Sequence, residues 1–451
     1  MTLEENVLKR IKPGPEEKEK LQEVASELLA RVSTISRIKG IEGITPKLVG
    51  SAARNTWISG THDLDIFIAF PESVSREELE TNGLLIAREV ARNGINTEER
   101  YAEHPYLNMQ YKGFDVDLVP CFAVKSAAEI KSAVDRTPFH NEFIKMSIPG
   151  REDDVITMKQ FMKGTGTYGS ELRTQGFSGY LTELLIVHYG SFRNLIRNAC
   201  NWKPGLVIDM LEHGTVKHND PLVVVDPTDP KRNVAAALSL NQFANFIDVC
   251  RSYSEKPSEE FFFPKEKEPM QDDEIINMIT SRRSSFIAIV FRAPELVDDI
   301  LYPQMDKMEQ SLSALFEEHE FQVLNTGYWV KENAVVVIEL MSSRLPLVKK
   351  HRGPPVWVYE HALGFKEKYA DSDELFALYI DDGFYVADIK RKFSTAIELL
   401  EGKIESCSLG KHLGKAVAEG YTVLEDTDMA KINDPEFRRF LRKWEQNKSK
   451  N

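Results

Sequence analysis

Lys47-Leu-Val-Gly-Ser51 and, one loop later, Asp63-Leu-Asp-Ile-Phe-Ile-Ala-Phe70 are the stretch on which the fold turns. Lys47 to Val49 predicts a short strand that ends in Gly50-Ser51, and a loop containing Gly60 leads to a second strand, Asp63 to Phe70, closed by Pro71. Asp63 and Asp65 are two apart, so both side chains leave the same face of that strand, while Leu64, Ile66 and Ile68 point the other way into a core. Two carboxylates directed at one spot repel each other, and a bound divalent cation is the usual resolution. Mg²⁺ suits carboxylate oxygens and keeps substrate phosphates among its remaining ligands. Asp115 and Asp117 repeat the spacing on a later strand that could lie beside the first, and spacing alone does not choose between them. Gly50 lets backbone approach a ligand, Ser51 can hold a phosphate, and Arg54 can offset the charge of a triphosphate. The chemistry implied is nucleotidyl transfer, one metal activating an attacking hydroxyl and another steadying the leaving pyrophosphate. Alone, an Asp-x-Asp at a strand edge is more often solvated surface, and Gly-Ser more often a turn. The combination carries the reading: Gly-Ser, 63 − 51 − 1 = 11 intervening residues, Asp-x-Asp on an apolar strand, then a further acidic strand.

Outward from this stretch, residues 1–36 read as helix, broken at Pro13-Gly-Pro15 and then carrying Leu21, Val24, Ala25, Leu28, Leu29 and Val32 at helical spacing. Residues 76–93 also read as helix, and Tyr106 to Tyr111 and Phe114 to Val119 read as a hairpin about Lys112-Gly113. From Val155 to about Ile247 the pattern is mainly helical, with Leu181, Leu184, Leu185 and His188 on one face. The acidic, proline-containing segment Ser254 to Asp273 is the best linker candidate. After it, Ser285 to Phe291, Leu301 to Glu317, Phe321 to Val330 and Ala334 to Met341 read as strand, helix, strand and strand, the first half of a ferredoxin-like or RNA-recognition-type unit. Arg344 to Gly383 looks like an insertion, and helices are expected again at Val386 to Leu400 and Asp434 to Trp444.

Composition agrees with an ordinary globular chain of several domains: 451 residues, 42% apolar and 28% charged. The net charge of −13 does not suggest a polyanionic partner, but the sum hides local structure. Between Val155 and Lys203 six basic residues face two acids, Glu171 and Glu183, a local net of 6 − 2 = +4. Cys121, Cys200, Cys250 and Cys407 form no CxxC pair, which disfavours a structural zinc or a disulfide framework and suits a reducing cytoplasm. The charged start of the chain offers no signal peptide, and no apolar run approaches the roughly 20 residues that span a bilayer. A soluble, cytoplasmic protein without a membrane partner is expected.

Leu48-Val-Gly-Ser51 with Asp63-Leu-Asp-Ile-Phe67 resembles the signature of the polymerase-β-type nucleotidyltransferase superfamily. Asp117-Leu-Val-Pro-Cys121, Lys131-Ser-Ala-Val-Asp-Arg-Thr-Pro-Phe-His140, Gly176-Phe-Ser-Gly-Tyr-Leu181 and Val225-Asp-Pro-Thr-Asp-Pro-Lys-Arg-Asn-Val-Ala235 are similar to the archaeal, class I CCA-adding enzymes, which are tRNA nucleotidyltransferases. The likeness is close from about residue 40 to about residue 240 and looser beyond. It implies addition of C, C and A to the tRNA 3′ end from CTP and ATP without a template, with two Mg²⁺ ions. By motif, Asp63, Asp65 and Asp117 would be the catalytic, metal-binding carboxylates, which selects Asp117 over Asp115. Ser51 and Arg54 would hold the triphosphate, His140, Lys159 and Tyr168 would complete the ATP/CTP site, and Thr137 and Arg232 would follow, Arg232 near the base edge. Each has a plainer reading: His140 as a helix cap, Lys159 as a solvent-facing helix residue, Tyr168 as loop packing. One departure is visible: relatives can carry Glu where this chain has Asp63.

The fold class the resemblance implies is α+β and multidomain: a polymerase-β-like nucleotidyltransferase head (1–147), a helical neck (148–255), a ferredoxin/RRM-like body (270–345 and 385–451) and an inserted tail (346–384). The implied partners are the tRNA acceptor end, ATP and CTP, with a homodimer as the assembly the family suggests. The rival enzyme is a poly(A) polymerase or other terminal transferase, disfavoured by the motifs after Asp117. The rival outside enzymes is an RNA-binding protein on a degenerate scaffold, which should have lost a carboxylate; none is missing.

Overall fold

A computed structural model describes residues 2–449 except 102 and 128, so residue 1 of the expected head and residues 450–451 of the expected body lie outside the described residues. The chain divides into two compact units, one ending at Lys265 and the other beginning at Glu266.

The first unit opens with α1 (Leu3–Ile11) and α2 (Pro15–Ile38). Thr2 and Glu5 close a capping box on α1, and Pro15 starts α2 at the position where a missing N–H costs nothing. Next come β1 (Thr45–Val49), α3 (Gly50–Arg54), β2 (Asp63–Pro71), α4 (Arg76–Ala91), β3 (Ile95–Tyr101), β4 (Pro105–Tyr111) and β5 (Phe114–Ala123). The five strands form one sheet in the order β1-β2-β5-β4-β3. β2 and β5 pair in parallel at its centre, and the other neighbours are antiparallel. One face of the sheet buries Leu64, Ile66, Ile68 and Phe70 of β2 and Val116, Leu118 and Phe122 of β5 against α2 and α4. Each such side chain contributes about 1.5–3 kcal/mol on leaving water. The other face carries Asp63 and Asp65 at the start of β2 and is apolar only further along, where Phe67 and Ala69 meet Val49, Val119 and Cys121.

The rest of this unit is α5 (Thr137–Ser147), α6 (Glu152–Gly164), α7 (Gly179–Tyr189), α8 (Phe192–Ala199), the short strands β6 (Leu206–Ile208), β7 (Leu222–Asp226) and β8 (Asp229–Asn233), and α9 (Leu240–Glu255). Ser178 caps α7 through the Leu181 N–H, and Gly190, at φ +84°, ends it in the left-handed region that only glycine enters freely. Where the sequence reads as mainly helical, the three-stranded sheet β6-β7-β8 is an addition. The linker expectation is only half met. Phe262 is fully buried in the core of the first unit, so the chain leaves that core only after it.

The second unit contains α10 (Asp272–Arg282), β9 (Ser285–Arg292), α11 (Asp298–Glu318), β10 (Val323–Val330), β11 (Asn333–Leu340), β12 (Val348–Pro355), α12 (Tyr359–Ala370), β13 (Leu375–Asp381), β14 (Phe384–Lys390), α13 (Ala396–Lys403), α14 (Lys411–Glu419), β15 (Tyr421–Glu425) and α15 (Pro435–Ser449). Strands β10-β11-β9-β15 form an antiparallel sheet whose order is that of a complete ferredoxin-like unit, β15 supplying the fourth strand. The inserted segment is itself a sheet, β12-β14-β13, with α12 against it. This corrects one expectation. Val386 to Lys390 lie in the central strand of that sheet, not in a helix, and helix resumes only at Ala396. The inserted sheet therefore extends across the 384/385 boundary expected from the sequence.

Candidate active site

The parallel register of β2 and β5 aligns Asp63 with Asp115 and Asp65 with Asp117. Gly50 sits directly against this row: a Cβ built on it would lie 1.9 Å from Asp65 Oδ2, and its φ is +73°. Both the backbone conformation and the close approach therefore require glycine. Ser51 and Arg54 follow on α3. On the neighbouring strand Asn108 donates through Nδ2 to Asp115 and, at 2.8 Å, to Asp117 Oδ1.

Crowding and partial enclosure raise the carboxyls of Asp63, Asp65 and Asp117. Burial, then the charge of Asp117, pushes the Asp65 carboxyl up to about 6, against a pull from Arg54. Asp63 is raised by burial and by Asp115, with Lys163 and His62 opposing. Asp117 is raised by burial, against its hydrogen bond from Asn108 and the charge of Arg100. Among the described residues no three His, Cys, Asp or Glu side chains are gathered closely enough to hold a metal ion between them. The donor set nevertheless suits a hard divalent cation: carboxylate oxygens only, fixed on two adjacent strands, each destabilised by the next.

Two further carboxylates organise the surroundings, and neither was singled out from the sequence. Glu183, on α7, is fully buried. Its Oε1 accepts from Arg54 Nε at 3.2 Å, from Lys159 Nζ at 3.2 Å and from Thr56 Oγ1, while its Oε2 lies 3.0 Å from Arg54 Nη2. Lys159, on α6, is 3% exposed and donates also to Thr56 O at 3.0 Å, so it is not the solvent-facing residue that its helix suggests. Arg54 Nη1 reaches Asn141 Oδ1 on α5 at 3.3 Å. Tyr168, whose hydroxyl is raised by burial, lies with its oxygen 3.0 Å from where a Cβ on Gly179 would be.

Asp226, at the end of β7, is the second. Its Oδ2 lies 2.8 Å from His140 Nε2 and 2.8 Å from Arg232 Nη1. Its Oδ1 accepts from Tyr180 OH at 3.2 Å and from the Thr228 backbone and hydroxyl. The His140 and Tyr180 rings stack at 4.0 Å. His140 is thus no mere helix cap but a ring clamped between an acid and a tyrosine. Burial lowers its pKa more than Asp226 raises it, so it is neutral at pH 7. Thr137 opens α5 one turn before His140 and is half-buried. Beyond Arg232 an open cleft of about 680 Å³ is lined by Ile130, Arg136, Ser178, His218 and Lys231, and none of the three carboxylates lines it.

The structure therefore brings the expected residues into three groups: Asp63, Asp65 and Asp117 beside Gly50-Ser51, Arg54 and Lys159 on Glu183, and His140 and Arg232 on Asp226. The sequence carries one signal for Glu183, an acid directly before the apolar run Leu184-Leu185-Ile186, and one for Asp226, an acid closing the run Leu222 to Val225.

Comparison with known proteins finds matches to three successive parts of the chain. The profile described as "Nucleotidyltransferase domain" matches residues 27–140, "tRNA nucleotidyltransferase, second domain" matches 153–263, and "CCA-adding enzyme, C-terminal domain" matches 282–426. The CCA-adding enzyme of Methanosarcina acetivorans is 56% identical over 439 residues, covering 97% of each chain. That of Methanosarcina barkeri is 55% identical with the same coverage. That of Methanoregula boonei is 41% identical over 95% of this chain and 92% of its own.

Proposed function

The chain belongs to the CCA-adding enzyme family, and on that premise we propose that it finishes the tRNA 3′ end by adding C, C and A in turn from CTP and ATP, releasing pyrophosphate at each step. The observation that carries the chemistry is the paired register of Asp65 and Asp117 with Gly50 pressed against it. In this reading Asp63, Asp65 and Asp117 hold Mg²⁺, two ions in all, which when bound lower the pKa of the attacking hydroxyl and neutralise charge on the phosphates. Asp117 lies nearest the tRNA 3′-hydroxyl and accepts its proton. Ser51, Arg54 and Lys159 hold the triphosphate, with Tyr168 and Thr137 beside it. His140, neutral, donates or accepts hydrogen bonds without adding charge, and Arg232 reads the base edge from its anchor on Asp226. Lys159 reaches a phosphate only by exchanging one of its bonds to Thr56 or Glu183.

The domain division that goes with this reading is a head (1–147), a neck (148–255), a body and an inserted tail that runs from 346 through β14, acting in the cytoplasm as a homodimer. No helix among the described residues is long and apolar enough to cross a membrane. The basic stretch from Val155 to Lys203 would meet the acceptor end through phosphate contacts, which suits an enzyme that must accept every tRNA. The test is extension of a tRNA lacking its 3′ end with CTP, ATP and Mg²⁺, with product lengths resolved. Addition that stops after three nucleotides supports the proposal, a long tail points to a polymerase, and no extension overturns it.

A further inference from the structure

Arg54 and Lys159 come from different elements, α3 beside the carboxylate row and α6 of the helical part, yet both end on Glu183 of α7. All three side chains are nearly or fully enclosed: Arg54 8% and Lys159 4% exposed, Glu183 not at all. Two cations out of water against one anion leave the group a positive charge in excess. Such an excess is costly unless an anion visits the site. Among the described residues Glu183 Oε2 has no hydrogen-bond partner and lies 3.0 Å from Arg54 Nη2, while Oε1 takes Arg54 Nε and Lys159.

We propose that Glu183 is a positioning residue for the nucleotide's triphosphate: it fixes Arg54 and Lys159 in place before the nucleotide arrives. This rests on the triphosphate role given to those two cations above. A buried ammonium prefers to lose its proton, and Lys159 is indeed lowered by burial, with Glu183 as the main opposing charge. The other groups that bear on it are Arg54 from α3 and Lys163 on its own helix, both of which lower it further, with the Tyr168 hydroxyl close by at Gly179. Remove the charge of Glu183 and Lys159 keeps the Thr56 acceptors but loses the negative charge that offsets its burial.

The experiment measures KM and kcat for CTP and ATP on a tRNA lacking its 3′ end, with full-length protein, across neutral to alkaline pH. Glu183→Gln keeps the shape and one acceptor oxygen but not the charge. It is expected to raise KM about tenfold to hundredfold with a smaller change in kcat, and the rise should steepen toward alkaline pH. Glu183→Asp, which restores the charge, should recover most of the loss and flatten the pH dependence. Thr56→Val keeps both charges and removes only the hydroxyl shared by Glu183 and Lys159, so it carries the test if Glu183→Gln does not fold; a KM raised severalfold is expected. KM values equal to wild type across pH in the folded variants overturn the inference and leave the CCA-adding activity standing. Failure of the wild-type chain to extend tRNA overturns the proposed function itself.

Discussion

Asp65 and Asp117 stand opposite each other in the parallel pairing of β2 and β5, one step along from Asp63 and Asp115. Four acids on two adjacent strands make the head pay for its site in stability, and pH exposes that cost. Asp65 is raised to about 6, first by burial and then by Asp117, so the folded chain binds this proton more tightly than the unfolded one. Between the unfolded and folded pKa values, about pH 4 to about 6, stability falls as pH rises. Relative to Asp65→Asn, the wild-type chain in chelator should lose a few degrees of Tm over that window. Mg²⁺ near neutral pH should recover them in wild type and not in the variant. Parallel melting curves for the two proteins, with and without Mg²⁺, would remove the argument.

Gly50→Ala tests the contact with this row. The substitution forces a Cβ into a backbone at φ +73° and within 1.9 Å of Asp65 Oδ2. The backbone part costs about 1–2 kcal/mol. Gly60→Ala is the control, since Gly60 has φ +82° but nothing within 4 Å. Both variants should melt earlier by a similar amount, measured by calorimetry. Only Gly50→Ala should slow tRNA extension, by at least about tenfold, the effect of about 1.4 kcal/mol. Equal activities in the two variants would mean that Asp65 tolerates displacement.

The carboxylate strand could be read from the sequence because its alternation and its chemistry coincide: Leu64, Ile66 and Ile68 bury one face and the acids claim the other. β3 escaped because every residue of it is exposed, Glu98, Glu99 and Arg100 included, so no apolar alternation marks it. Val386 to Ile389, within β14, reads as the start of a helix because so short and mainly apolar a stretch has an ambiguous period; its partners in β12 and β13 decide it. Lys159 illustrates the limit for sites. Its helix offers no local reason to bury an ammonium, and the reason, Glu183, is 24 residues away on another helix. Pairings of that kind are tertiary facts.

In the second unit Glu339 is the corresponding buried acid. It lies on β11, fully buried, and accepts from Arg282 at 2.7 and 3.0 Å, from Ser284 Oγ at 2.6 Å and from Asn325 Nδ2 at 2.6 Å. Glu339→Ala takes away the acceptor shared by Arg282, Ser284 and Asn325 and should cost this unit about 3 kcal/mol. Hydrogen exchange of the β9 and β11 amides should then quicken by about a hundredfold, with Glu339→Gln intermediate. Unchanged protection in the alanine variant would show the cluster to be ornamental to stability.

Asp226 joins two of the residues expected at the nucleotide, His140 and Arg232, through a single oxygen. Burial alone would raise its carboxyl, yet the hydrogen bond with His140 and the Thr228 donors hold it well below the usual range. Asp226→Asn keeps the shape and removes the charge that anchors Arg232. Hydrogen bonds to a charged group are worth about 1.5–3 kcal/mol, so KM for the nucleotides should rise about tenfold or more while the fold survives. Because Arg232 is the group assigned to the base edge, the ratio of CTP to ATP use should also shift. His140 should remain neutral, since the change removes the one carboxylate that favours its charged form, and the pH–rate profile should gain no new limb in the neutral range. Steady-state kinetics with each nucleotide checks all three expectations. An unaltered KM and CTP/ATP ratio in a folded Asp226→Asn protein would place Arg232 away from the base.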